Sequence, residues 1–375
     1  MKVLVAGDFA PQARAAKQII EKQFSEVFSE DCRKVINSAD FSFVNFECPI
    51  VEEGYKPISK CGPNLQCTPE AAEAVKFAGF TGVTMANNHI LDFGSEGLYK
   101  SVECCKDMEL DVIGVGNNLS DAEKVLYCEK DGEKLAVINC CEHEFSIATT
   151  TDAGANPLNP IRQFYAIQDA KKNADYVLVI VHGGHEHYQL PSPRMVETYR
   201  FFIDAGADAV VNHHQHCYSG YETYKGKPIV YGLGNFCFDD PNASNVIWNE
   251  GYMVILCFCG DAVALRTIPY IQGSQHIGIK ILVERYKFDR HILKLNKIIS
   301  DTNQLKDAHN KWMLSFVKRY ALLFEPYNGR ISKGLFVRGL LPSFISRKKM
   351  YQVVDFVECE SHLDCLRYTL RSLIK

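Results

Sequence analysis

The sequence predicts an α/β (α+β) layered domain followed by a helical C-terminal appendage. Two observations predict it. Through the first 260 residues short β-branched runs alternate with amphipathic stretches, and after about residue 290 helical spacing alone remains. A third observation bears on function: the apolar runs repeatedly stop at an Asp, Glu, Asn or His.

Val3–Ala6 reads as the first strand and ends at Gly7-Asp8. Residues 12–28 have helical spacing, with Ile19, Ile20, Phe24, Val27 and Phe28 on one face. Phe41–Phe46 is a second apolar run, stopping at Glu47. Thr68-Pro69-Glu70 predicts a helix start, with threonine as N-cap and proline at the first helical position, and that helix runs to about Gly79. A strand near Thr81–Met85 delivers Asn87-Asn88-His89. Val177–Val181 delivers His182, Ser192–Ala205 reads as a helix, and Ala209–Val211 leads to Asn212-His213-His214-Gln215-His216. Pro228–Tyr231 then leads to Gly234-Asn235. Further on, Lys311–Leu323, Leu335–Ile345 and Val353–Leu373 read as helices. The boundary falls loosely at 285–305, giving a domain over 1–290 and an extension over 291–375.

The composition, 47% hydrophobic and 23% charged over 375 residues, suits a globular chain with a sizeable core. A formal charge of −4 argues against a general affinity for nucleic acid. The charge is uneven, because residues 305–375 carry 13 Lys and Arg against 6 Asp and Glu. No apolar stretch approaches the roughly 18 residues of a membrane span, and the first residues lack a signal-peptide core, so a cytoplasmic location is expected. The 15 cysteines include no paired CxxC arrangement, and several (Cys140, Cys141, Cys257, Cys259) sit in apolar runs. They read as reduced thiols packed as small hydrophobes.

Six of the 12 histidines fall between positions 182 and 216. His214-x-His216 on an extended segment presents both imidazoles to one side. With Asp8, Glu47, Asn88 and His182 they form a mixed nitrogen and oxygen ligand list without thiolates. Such a set suits Mn, Zn or Fe, one ion or two, and a second ion needs a bridging carboxylate. Taken singly, each piece has a plainer explanation, Asp8 as a helix cap and Asn87-Asn88 as a turn. Five strand ends bearing such residues together point to a metal centre.

At these residues the chain resembles the bacterial capsule synthesis (CapA, poly-γ-glutamate) family of the calcineurin-like metallophosphoesterase superfamily. The resemblance covers about residues 2–240. Gly7-Asp8 is similar to the family's opening GD, Asn45-Phe46-Glu47 to its NLE, and Ala86–Gly94 to its ANNHxxDxG signature. His182-Gly183-Gly184-His185-Glu186 resembles HWGxE, Asn212–His216 resembles GHHPH, and Gly234-Asn235-Phe236 opens the closing GNFxFD segment. The resemblance implies a four-layer α/β/β/α sandwich. It implies that Asp8 and His216 hold a first metal, that Asn88, His182 and His214 hold a second, and that Glu47 bridges. It further implies that His89 acts on a leaving group with Asp92 as its orienting partner, that Glu186, His213 and Asn235 line the pocket, and that Arg194 contacts an anionic substrate. The chain departs from the pattern at Ala10, where ordinary metallophosphoesterases place a ligand histidine, and at Gly183, which replaces an aromatic wall.

Two functions follow as expectations. One is a metal-dependent hydrolase acting on a phosphoester or an amide-linked anionic polymer. The other is a non-catalytic capsule component that binds anionic polymer or a partner. A basic patch at Arg338, Arg347, Lys348 and Lys349, beside Phe336, Leu340, Leu341, Phe344 and Ile345, reads first as the solvated basic face of an ordinary helical appendage, with contact to an anionic membrane surface or polymer as the alternative.

Overall fold

The computed structural model describes residues 1–241, 246–273 and 276–358, together with 362–363, 365–366 and 369–370. The chain divides into two compact units, Met1–Lys306 and Asp307–Lys375. The division lies beyond the expected residue 290 because the helix Tyr286–Ser300 belongs to the first unit. Its apolar face (Phe288, Ile292, Leu295, Ile299) is buried, and Asn296 Oδ1 accepts the Tyr221 amide at 2.8 Å.

Two large sheets build the first unit, beside a small one pairing Val115–Gly116 with Gly154–Ala155. The larger runs Ile279–Ile281, Ala262–Gln272, Glu250–Cys259, Lys2–Phe9, Phe41–Phe46, Gly82–Thr84, Asp111–Ile113, with Asn235–Cys237 pairing off Lys2–Phe9. The smaller runs Tyr221–Tyr224, Lys227–Val230, Ala209–His213, Tyr176–His182, Glu133–Cys141, Leu126–Lys130. Alternation along the strands divides the faces. Leu4, Ala6, Val44, Phe46 and Val83 join one buried cluster with Ile19, Ile36, Ala71, Val75 and Ala78 from helices Ala13–Ile20, Glu30–Ile36 and Glu70–Ala78. On the opposite face the sheets meet: His213 Nε2 lies 2.9 Å from the Ala6 carbonyl, and Asn139 Oδ1 accepts the Ala86 amide at 2.8 Å. Helices Pro160–Asn173 and Pro193–Asp204 cover the smaller sheet, burying Ile167, Tyr199 and Phe202. The order is helices, sheet, sheet, helices.

Lys2–Phe9, Phe41–Phe46 and Gly82–Thr84 are mutually parallel, as are Glu133–Cys141, Tyr176–His182 and Ala209–His213. Their carboxyl ends therefore gather on one edge of each sheet, where loops collect polar side chains. Gly7 sharpens this at the first strand. The register shifts between Ala6 and Asp8, and a Cβ on Gly7 would lie 1.9 Å from the Gly234 carbonyl oxygen. Only glycine admits that approach, and the irregularity turns Asp8 toward the second sheet.

Several local expectations change. The helical stretch over 12–28 is two helices, Ala13–Ile20 and Phe24–Val27. Thr68 makes no side-chain cap, and the helix Glu70–Ala78 closes on Gly79 at φ +101°. Leu335–Ile345 is not one helix: Arg330–Val337 stops ahead of Gly339, which sits at φ +76°. Lys311–Leu323 is interrupted after Leu314 and resumes as Val317–Ala321. Helix Arg347–Glu358 carries the start of the expected 353–373 element, most of whose remainder lies outside the described residues. All cysteines among the described residues are free.

Within the second unit Glu325 is buried, binding Ser343 and accepting the Phe344 amide at 2.8 Å. Tyr327 packs on Phe336 (centroids 5.3 Å apart), which removes Phe336 from the expected exposed patch. Among the described residues no helix is long and apolar enough to cross a membrane.

Candidate metal centre

The strand ends bring Asp8, Glu47, Asn88, His182, His214 and His216 into one buried cluster. His182 Nε2 lies 3.0 Å from His214 Nδ1, 3.1 Å from Asn88 Oδ1 and 3.5 Å from Glu47 Oε1. On the other side of the same oxygen, His216 Nε2 lies 3.6 Å from Glu47 Oε1, and Asp8 Oδ2 is 3.7 Å from His216 Nδ1. Two ligand groups therefore share Glu47: one with His182 and His214, the other with Asp8 and His216.

Glu47 tests whether this donor set fits a cation. Both of its carboxylate oxygens are buried without a hydrogen-bond donor. Burial pushes its acid well above the usual carboxylate range, and the neighbouring Asp8 pushes the same way. An unpartnered buried carboxylate is costly, and a divalent ion among these nitrogens and oxygens would supply the missing partner. Two of the imidazoles, His182 and His216, are held toward the neutral, ligating form. Burial, reinforced by His214 and the other nearby histidines, holds His182 well below the usual histidine value; burial against the opposing pull of Asp8 takes His216 down to about 4.

The backbone at the histidine pair differs from the extended segment expected. The strand stops at His213, and His214 and His216 sit at φ +87° and +52°. They reach the cluster from a tight left-handed turn, so each imidazole serves a different side of Glu47. Asn235 stands behind His216 at this cluster. It is fully buried, its Oδ1 is 2.9 Å from His216 Nδ1, and its Nδ2 donates to the carbonyls of His216 and Trp248. That arrangement puts the His216 proton on Nδ1 and leaves Nε2 facing Glu47. The expectation for His213 is corrected: its ring is buried between the sheets against Ala6 and does not face the pocket. Arg194 is tied to Glu142 at 2.7 Å on the surface. Glu186 is exposed and adds negative potential at Glu47.

Beside the ligands, His89 Nδ1 lies 2.7 Å from Asp92 Oδ2, which also accepts the Leu65 amide at 2.6 Å. Lys60 completes this arrangement and was not foreseen: its side chain is 2% exposed, ion-paired to Asp92 and 3.2 Å from His89 Nδ1. It lies in an aperiodic loop whose local sequence carries no signal of burial. Asn45, also unassigned, donates to Asp8 Oδ1 at 2.8 Å; a polar residue in an otherwise apolar run was its signal. Ala10 is buried in the helix-side cluster and brings no ligand. The aromatic wall missing at Gly183 is replaced from elsewhere, since Trp248 and Phe238 flank His216 at 5.2 and 5.3 Å between centroids. Space at Gly183 is closed, because a Cβ there would lie 2.6 Å from Glu142 Cγ.

The family model described as bacterial capsule synthesis protein PGA_cap matches residues 2–240, and the chain belongs to that family. It is 33% identical over 247 residues to the capsule biosynthesis protein CapA of Bacillus anthracis, covering 64% of this chain and 60% of that protein. It is 32% identical over 230 residues to the PGA biosynthesis protein CapA of Bacillus subtilis strain 168, covering 60% of each. The chain thus matches about three fifths of the length of these relatives. Among solved structures, one described as a novel phosphatase from Mycoplasma pneumoniae aligns at 15% identity with a TM-score of 0.46, covering 73% of this chain and 95% of that one.

Proposed function

We propose that this protein is a metal-dependent hydrolase of the capsule and poly-γ-glutamate synthesis family, acting on a phosphoester or an amide-linked anionic polymer. The observation that carries the reading is Glu47, an unpartnered buried carboxylate shared by two ligand groups. The mixed nitrogen and oxygen donors suit Mn, Zn or Fe. One or two such ions supply Lewis acidity and a positive field for charge developing on substrate oxygens. The names of the Bacillus relatives support a capsule polymer as the substrate class.

The chain's own residues supply the rest. Asp8, Glu47, Asn88, His182, His214 and His216 hold the cations. His89, its Nδ1 fixed by Asp92, presents Nε2 to give a proton to the leaving group. Lys60 and the Leu65 amide hold Asp92 in turn, which fixes the ring plane.

A second reading, a non-catalytic component that binds anionic polymer, draws on position 10, where alanine leaves the Asp8 side with fewer ligands. One experiment separates the two. Purified protein assayed with Mn, Zn and Mg on generic phosphoesters and on γ-glutamyl polymer is expected to hydrolyse at least one substrate. His182→Ala is expected to remove that activity. Stoichiometric metal without turnover on either substrate class would favour the binding reading, and absence of metal would sink the hydrolase reading and leave the binding one.

The second unit fits peripheral attachment to an anionic membrane surface. Leu340 and Phe344 are 65% and 68% exposed, and Arg338, Arg347, Lys348 and Lys349 lie close to them in the chain. Apolar side chains beside clustered cations suit an acidic bilayer interface. Vesicles with 30% phosphatidylglycerol are expected to retain the protein in flotation. Arg347→Glu/Lys348→Glu/Lys349→Glu is expected to release it, and equal retention on neutral vesicles would rule this out.

A further inference from the structure

We propose that Glu144 is the carboxylate that orients two ligands of the Glu47, His182 and His214 group at once, Asn88 through its amide and His214 through its outer ring nitrogen. The inference rests on the metal-centre reading above and names a residue that neither the motifs nor the ligand list contains.

Asparagine poses a problem as a ligand, because its two ends are chemically opposite. Only Oδ1 donates electrons to a cation; Nδ2 turned inward would present hydrogens to it. In the structure Asn88 Nδ2 donates to Glu144 Oε2 at 2.9 Å, and Oδ1 lies 3.1 Å from His182 Nε2. A carboxylate accepts and never donates when ionised, so the contact fixes the amide in the ligating orientation.

His214 has the parallel requirement. Its Nδ1 faces the ligand cluster, 3.0 Å from His182 Nε2, so as a ligand it carries its proton on Nε2. The group facing that nitrogen is Glu144 Oε1, at 3.9 Å. At 3.9 Å the contact is longer than a hydrogen bond and acts through charge, the carboxylate favouring the tautomer that carries its proton on Nε2. One side chain therefore addresses one ligand through each oxygen.

The loop bearing Glu144 is tied to both ligand-bearing segments. The Glu142 amide donates to the His182 carbonyl at 3.0 Å, and buried Ser146 Oγ accepts the Leu91 amide at 3.3 Å, three residues beyond Asn88. The side chain of Glu144 is 37% exposed, so it fills no core volume whose loss would unfold the domain. Its neighbour Glu142 points elsewhere, to Arg194, and serves as an internal control.

The test is calorimetric titration of the chelator-stripped full chain with Zn²⁺ and Mn²⁺. The relevant binding step is the one that His182→Ala abolishes. Glu144→Ala is expected to weaken that step by about 10–100-fold, the range typical of orienting partners. Glu144→Gln, which retains one oxygen for Asn88 and loses the second acceptor, is expected to fall between wild type and Glu144→Ala. Glu142→Ala is expected to bind as wild type does. Wild-type binding that Glu144→Ala leaves within twofold would overturn this inference alone, as would an equal loss in Glu142→Ala. A wild-type chain that binds no divalent ion would overturn the metal-centre reading and this inference with it.

Discussion

Glu47→Gln will remove both metal-binding steps together, where His182→Ala removes one. The difference follows from position. Glu47 Oε1 lies 3.5 Å from His182 Nε2 and 3.6 Å from His216 Nε2, so it is the carboxylate common to both candidate groups. Loss of an orienting partner costs about 10–100-fold in metal affinity, and loss of a shared charged ligand is expected to exceed the upper end of that range. The same variant will leave the metal-free fold at least as stable. Its amide replaces a carboxylate that is buried with neither oxygen hydrogen-bonded, and a neutral group is far cheaper to bury. Metal content after gel filtration and thermal unfolding of the stripped protein check the two halves. Stoichiometric metal in Glu47→Gln would contradict the bridging assignment.

His89→Ala gives the second large effect, of the opposite kind. His89 is not among the grouped ligands, and its Nδ1 is committed to Asp92, so the variant will retain its metal. Turnover will fall by roughly 10²–10⁴-fold, the usual contribution of a positioned acid or base. KM will change little, since the ring is assigned to proton transfer and not to holding substrate. Asp92→Asn will lower kcat less, because it disturbs the ring without deleting it. Assays at saturating metal separate this from a binding defect. A variant that lost metal together with activity would return His89 to a structural role.

Much of this arrangement was legible in the sequence because strands announce themselves by composition. Apolar runs at Val3–Ala6, Phe41–Phe46 and Val177–Val181 give the strands, and the residue at which each run stops is the one exposed to chemistry. The α/β layering and the gathering of Asp8, Glu47, Asn88, His182, His214 and His216 both follow from that rule. Its limits are equally physical. Polar residues next to a ligand look alike in sequence, whether they face a pocket or the interior. Sequence alone groups His213 with the pocket-lining residues, and burial between the sheets against Ala6 decides otherwise. Lys60 and Glu144 lie on loops without periodicity, and only the tertiary path brings them to Asp92 and Asn88. The antiparallel pair Glu250–Cys259 and Ala262–Gln272 was only partly marked, through cysteines in an apolar run, since its contribution depends on pairing across the sheet.

The left-handed turn at His214 and His216 sets backbone strain against side-chain packing. Each non-glycine residue held in that region carries a penalty of roughly 1–2 kcal/mol, which glycine would relieve. Glycine at either position would relieve that strain but empty a buried site, and at 216 it would also lose the contacts with Trp248, Phe238 and Asn235. The strained backbone is held by the packing around the two rings, and the same packing fixes where each imidazole points.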